Sequence, residues 1–204
     1  MLNDLKIMKG YFITIDGIDG AGSSTQTKLL VEKLRELGYD SIGTKEPNPD
    51  GPIEPIIRSI IKKPCISPEL EALLFAADRI YHVEFFIKPW LKEGKIVVSD
   101  RYLESSIAYQ TSQGLDEDWI LSINRGALIP DISIILDVDP EISLKRKTVL
   151  VDRYEKLEFL KKVRLKFLER AKRKNYYVID ASKSIIEVHR EILDLVLNYI
   201  SKKS

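Results

Sequence analysis

Residues Tyr11 to Leu30, YFITIDGIDGAGSSTQTKLL, leave a chain few ways to fold. Tyr11 to Ile15 is a short, mostly apolar run of β-prone residues, glycines follow at 17, 20 and 22, and Leu29, Leu30, Leu34 and Leu37 then recur at helical spacing. The order is strand, tight turn, helix. Glycine reaches backbone conformations closed to other residues, so the turn can fold its N–H groups inward, and the helix behind it adds the positive end of its dipole. A turn of this kind can cradle phosphate.

Set against the Walker A pattern G-x-x-x-x-G-K-[ST], the segment reads Gly17, Ile18, Asp19, Gly20, Ala21, Gly22, then Ser23 where a lysine is expected, then Ser24 and Thr25. Ser24 keeps the hydroxyl that joins a Mg²⁺ shell, but no ammonium is placed to reach the outer phosphates. On this segment alone, a glycine-rich turn without a ligand is the alternative.

Further strand-like runs at 40–45, 95–100, 131–138 and 175–180 alternate with helical patterns at 53–61, 67–91, 104–112, 116–127, 140–147, 153–173 and 184–200. Ser67-Pro68-Glu69 is a helix start with its cap and N1 proline, and Pro89 is expected to kink the helix that follows. The alternation predicts an α/β fold: a five-stranded parallel sheet with helices on both faces, in one domain of 204 residues. Ligands of such sheets bind beyond the carboxyl ends of the strands, where Gly17, Lys45, Asp100 and Asp180 fall.

Composition removes several function classes. With 32 Lys+Arg against 31 Asp+Glu there is no global charge argument for nucleic acid or an anionic membrane, so any anionic ligand is held by local charge. The single cysteine, Cys65, excludes an internal disulfide framework, and two histidines, His82 and His189, cannot spell a zinc cluster. No apolar run reaches the ~20 residues that span a bilayer, and Met1 to Gly10 lacks the apolar centre of a signal peptide. These observations predict a cytoplasmic chain.

Asp100, Arg101 and Tyr102, read together with Ser105, Ala108, Tyr109 and Gln110, give the chain its resemblance to the thymidylate kinases, whose signature is D-R-Y/H-x-x-S-x-x-A-Y-Q. The likeness extends through Leu74-Phe75-Ala76-Ala77-Asp78-Arg79, Pro130-Asp131, Leu136 to Pro140, Asp152 to Glu155 and Val178 to Ala181, in the family's order. It implies the nucleoside monophosphate kinase version of the P-loop fold, a lid, which falls at about 145–155 and is short here, and transfer of the γ-phosphoryl group of Mg²⁺-ATP to dTMP. A homodimer is the family habit.

Carried over residue by residue, the resemblance implies that Phe75 stacks on the thymine ring and that Arg79 bonds the base edge; by spacing alone Phe75 is an apolar core position and Arg79 a solvated helix charge. Arg101 is implied to grip the acceptor phosphate, Asp100 to act with Ser24 on Mg²⁺, and Tyr109 to lie under the sugar where a 2′-hydroxyl would collide. Ser105 and Ser106 fall near the base, although either hydroxyl could equally bond its own helix. Asp19 is implied to approach the acceptor's sugar and phosphate. Arg146 and Arg153, at the lid, are the candidates for a catalytic arginine, and Glu155 for a Mg²⁺ or sugar contact.

Three departures stand out: Ser23 for the loop lysine, Lys45 in place of the arginine of an R-E-P motif, and a short lid. A unit charge at about 4 Å is worth ~4 kcal/mol at an effective dielectric near 20, so the missing ammonium is the gravest. Two rivals follow. One is a nucleotide-binding protein with weak or lost kinase activity; the other is a kinase of a different nucleoside monophosphate.

Overall fold

The computed structural model describes residues 10–61, 63, 66–146 and 156–203. Five strands, β1 (Tyr11–Gly17), β2 (Ser41–Lys45), β3 (Ile96–Asp100), β4 (Ile132–Asp137) and β5 (Tyr177–Asp180), form one parallel sheet in the order β2-β3-β1-β4-β5. The helices are α1 (Ser23–Glu36), α2 (Glu54–Ile61), α3 (Pro68–His82), α4 (Lys88–Lys92), α5 (Leu103–Ser112), α6 (Glu117–Ile123), α7 (Pro140–Lys145), α8 (Leu157–Lys174) and α9 (Ile185–Lys203). The α/β expectation and the parallel sheet hold.

β1 lies at the centre, and all seven of its residues are buried, as a parallel strand covered on both faces requires. Ile13 and Ile15 pack into a large core with Leu30 and Leu34 of α1, Phe167 of α8 and Val196 of α9. Phe12 belongs to a smaller cluster with Val83, Ile87, Val97 and Tyr102. Each such side chain removed from water contributes roughly 1.5–3 kcal/mol, enough in sum to order the layers.

Parallel register then fixes the site. Ile15 pairs with Asp100, and Lys45 pairs with the same residue from the other side. The glycine turn after β1 and the Asp100-Arg101 turn after β3 are therefore neighbours at one end of the sheet.

The helix expected to run from 67 to 91 is broken by a π turn over Val83–Ile87, one turn ahead of Pro89, with the Lys88 N–H reaching back to the Val83 carbonyl. Proline has no N–H and its ring crowds the carbonyl four residues earlier, so the ladder widens before it arrives. The helix expected at 116–127 ends at Ile123, because the Asn124 side chain accepts from Arg79 and donates to Ile120. α8 starts at Leu157 and closes on Asn175 in the left-handed region at φ 54°, so β5 is shorter than the run from 175 suggested. Of the lid expected at about 145–155, residues 147–155 lie outside the described residues.

Candidate active site

The turn after β1 owes its shape to two glycines with positive φ, Gly20 at 83° and Gly22 at 100°. At Gly20 a Cβ would run into the Ser143 carbonyl of α7, so glycine is required there by both torsion and space. Gly22 precedes α1 with no side-chain cap, which leaves the first N–H groups of that helix available to an anion. Ser23 is the first helical residue and is buried. Ser24 turns its hydroxyl onto Oδ2 of Asp100, while Oδ1 of that carboxylate, also buried, has no partner among the described residues.

Arg101 has φ 68°, the left-handed region that a long side chain rarely takes. Its Nη1 donates to the Gly17 carbonyl at 3.1 Å and to Ser105 Oγ at 3.3 Å, and its Nη2 pairs with Asp19. The guanidinium also sits 5.4 Å from the ring centroid of Tyr109, whose phenol oxygen accepts the Asp19 N–H at 3.0 Å. Burial works against the charge on Arg101, but Tyr109, Asp19, Asp100 and Asp16 outweigh it and hold the group protonated far above any working pH.

Two cavities meet here. One, of about 180 Å³, is lined by Asp19, Phe75, Arg79, Arg101, Ser105, Ser106, Tyr109 and Gln110 among others. The second, of about 750 Å³, runs along Asp19 to Gln26 and is walled by Arg101, Arg146, Ala181, Lys183, Ile185 and Val188. Among the described residues, only Asp19 and Arg101 line both. The structure thus brings together the glycine turn, Asp100, Arg101, Phe75, Arg79, Ser105, Ser106 and Tyr109. Arg146 faces the larger cavity and donates to the Ala181 carbonyl at 2.9 Å. Arg153 and Glu155 lie outside the described residues.

Arg79 is not a solvated helix charge. Its guanidinium is shared among Glu46, Asn124, the Tyr102 carbonyl and Ser106 Oγ, the last at 2.8 Å. Glu46 also meets His82 at 3.4 Å, and His82 bonds Thr44 at 2.7 Å. Sequence reasoning missed Glu46 and Asn124 as partners of Arg79. It also missed Asp16, which lies in the middle of the site's support, wholly buried, with burial pushing its carboxyl up to about 6. A lone carboxylate inside the apolar β1 run was the available signal.

Among the described residues no helix is long and apolar enough to cross a membrane. The family model described as thymidylate kinase matches residues 15–192 of this chain. A probable thymidylate kinase of Methanocaldococcus jannaschii is 49% identical, over 92% of this chain and 96% of its own length. Those of Thermococcus onnurineus and Pyrococcus abyssi are each 43% identical, over 94% and 93% of this chain and 100% and 97% of their own lengths. A match that runs from the end of β1 into α9, on a chain whose two adjoining cavities share one arginine, leaves a single assignment: the chain belongs to the thymidylate kinase family.

Proposed function

We propose that the chain catalyses ATP + dTMP → ADP + dTDP, with dTMP in the smaller cavity and ATP along the glycine turn. The observation that carries this reading is the shared wall: Arg101 and Asp19 line both cavities. A phosphoryl group crossing between them passes one fixed cation. An oxygen of the dTMP phosphate attacks the γ-phosphorus, the bond from that phosphorus to the β,γ-bridging oxygen breaks, and ADP leaves with the electron pair. Little covalent chemistry is asked of the protein, so in-line positioning and charge neutralisation set the rate.

Phe75 lies against the base, while Arg79, held by Glu46, turns one donor to Ser106 and keeps the polar wall of the base pocket in place. Tyr109 fills the position of a 2′-hydroxyl. Arg101 holds the acceptor phosphate, and Asp19, now on Arg101, moves onto the sugar and phosphate as dTMP arrives. Arg146, in the donor cavity, supplies charge that Ser23 does not. Arg153 and Glu155, carried over from the resemblance, complete the lid at about 145–155 of this single domain.

The metal expected is a Mg²⁺ ion that arrives with ATP and keeps several of its waters. The Ser24 hydroxyl and the unpartnered Asp100 Oδ1 fit that ion. Mg²⁺ bound with ATP supplies neutralisation of the β- and γ-phosphate oxygens.

The stripe Leu70, Leu73, Ala77 and Ile80 is exposed along α3 at coiled-coil spacing and supports a homodimer; sedimentation of Leu73→Glu as a monomer is the expected result. Low cysteine usage supports a cytoplasmic setting. A coupled ADP-release assay across dTMP, dUMP, dGMP, UMP and CMP tests the activity. The expected order has dTMP first; no turnover above background with any acceptor, or a preference for dGMP or CMP, overturns the reading.

A further inference from the structure

Asp16 stands where a carboxylate is costly, on the central strand with no exposure. Its Oδ1 accepts three hydrogen bonds: from the Tyr102 N–H at 2.9 Å, the Ser105 N–H at 3.0 Å and the Ser105 hydroxyl at 2.6 Å. The first donor belongs to the N-cap residue of α5 and the other two to the first turn of that helix, directly after β3. That helix has Tyr102 at its N-cap position and no side-chain cap of its own, so the carboxylate that satisfies its early N–H comes from a different strand.

Between β3 and the capped turn sits Arg101. Its own N–H bonds the Ile15 carbonyl at 2.9 Å, and the next N–H, that of Tyr102, bonds Asp16. The two peptides flanking a left-handed arginine are therefore both pinned to β1. A torsion of this kind costs on the order of 1–3 kcal/mol and persists only where the surroundings over-determine it. The Ser105 hydroxyl adds a second tie, donating to Asp16 while accepting from Arg101 Nη1 at 3.3 Å.

We propose that Asp16 is a positioning residue for phosphoryl transfer: by holding the turn at Tyr102 and Ser105 it fixes Arg101 at the junction of the two cavities. Asp16 lines neither cavity. Its effect passes through Arg101, and the proposal therefore rests on the reading that Arg101 holds the acceptor phosphate.

The test measures steady-state kinetics of the full chain with Mg²⁺-ATP and dTMP for Asp16→Ala, Asp16→Asn, Arg101→Ala and the double Asp16→Ala/Arg101→Ala. A misaimed catalytic group loses roughly 10- to 100-fold. Asp16→Ala should lower kcat/KM for dTMP by about that factor while moving the ATP KM less than about threefold, and Asp16→Asn, which keeps an oxygen for the three donors, should recover most of it. In the Arg101→Ala background, Asp16→Ala should add almost nothing. Equal losses for both substrates, no recovery in the asparagine variant, or full additivity with Arg101→Ala overturn the proposal. If Arg101→Ala alone leaves dTMP kinetics intact, the reading of Arg101 fails first, and that outcome is separate from the others. Should Asp16→Ala not fold, Ser105→Ala breaks the same link at its hydroxyl, and an unchanged kcat/KM for dTMP in that variant overturns the proposal equally.

Discussion

Arg79 and Glu46 face each other out of reach of solvent: Nε and Nη2 of the arginine lie 2.8 and 2.7 Å from Oε2 of the glutamate, at 1% and 3% side-chain exposure. A buried pair of this geometry does little for stability compared with an apolar pair, but removing one partner strands a charge. The pair is directional, since it orients the Arg79 guanidinium and with it the polar end of the smaller cavity.

Glu46→Gln should accordingly destabilise the protein by about 3 kcal/mol or more, because Arg79 keeps its charge and loses the carboxylate. Urea denaturation gives the number directly. A loss under ~1 kcal/mol would mean that Asn124, the Tyr102 carbonyl and Ser106 compensate the guanidinium without Glu46.

Tyr109 is immobilised on several sides, with its hydroxyl on the Asp19 N–H and its ring against Phe159 and Phe167 at centroid distances of 6.2 and 6.4 Å. A wall that cannot yield rejects a hydroxyl sterically. Replacing Tyr109 with alanine should narrow the preference for dUMP over UMP by roughly 10- to 100-fold in kcat/KM. The same ratio in a well-folded variant would remove Tyr109 from sugar selection.

Ser23 brings no ammonium to the larger cavity, while Arg146 and Lys183 stand on its wall. Arg146→Ala should lower kcat more than it raises the ATP KM, since a charge acting on the transition state shows mainly in kcat. Ser23→Lys should raise kcat, by no more than the ~4 kcal/mol Coulomb bound, and should soften the Arg146→Ala defect. Additive effects with no gain from the lysine would show that the charge is already in place.

Asp16 also makes a pH signature. Its carboxyl rises from the ordinary 3.8 to about 6 through burial, so between those values the folded protein binds more protons than the unfolded chain and stability falls as pH rises. The stabilising contribution is fully present below about pH 4 and lost above pH 6. The difference in unfolding free energy, wild type minus Asp16→Asn, should decline by up to about 3 kcal/mol from pH 4 to pH 7. A difference that stays flat across that range refutes the raised value.

Local, contiguous features of this chain were legible and the rest was not. The β1 strand, its glycine turn and α1 follow from residues next to one another, and parallel register then obliges Asp100 to sit beside the turn. Asn124 carries no local mark of its attachment to Arg79, forty-five positions away, because that bond depends on how α3 and α6 pack. Pro89 announced an irregular helix, but where the ladder opens was decided by Val83 and Ile87 seeking the core beside Phe12. Phe75 and Arg79, ambiguous by spacing, drew their base-site reading from the family resemblance alone, and the smaller cavity touches both.

The glycine turn separates contour from charge. Gly20 answers to a neighbouring backbone, the Ser143 carbonyl, and no side chain can be fitted there. Ser23 is buried at the first position of α1, so the side chain it bears answers to packing as well as to electrostatics. A lineage that exchanges the residue at 23 therefore leaves the glycine torsions that cast the phosphate cradle in place, and retunes the kinase in strength only as far as the packing around that side chain admits.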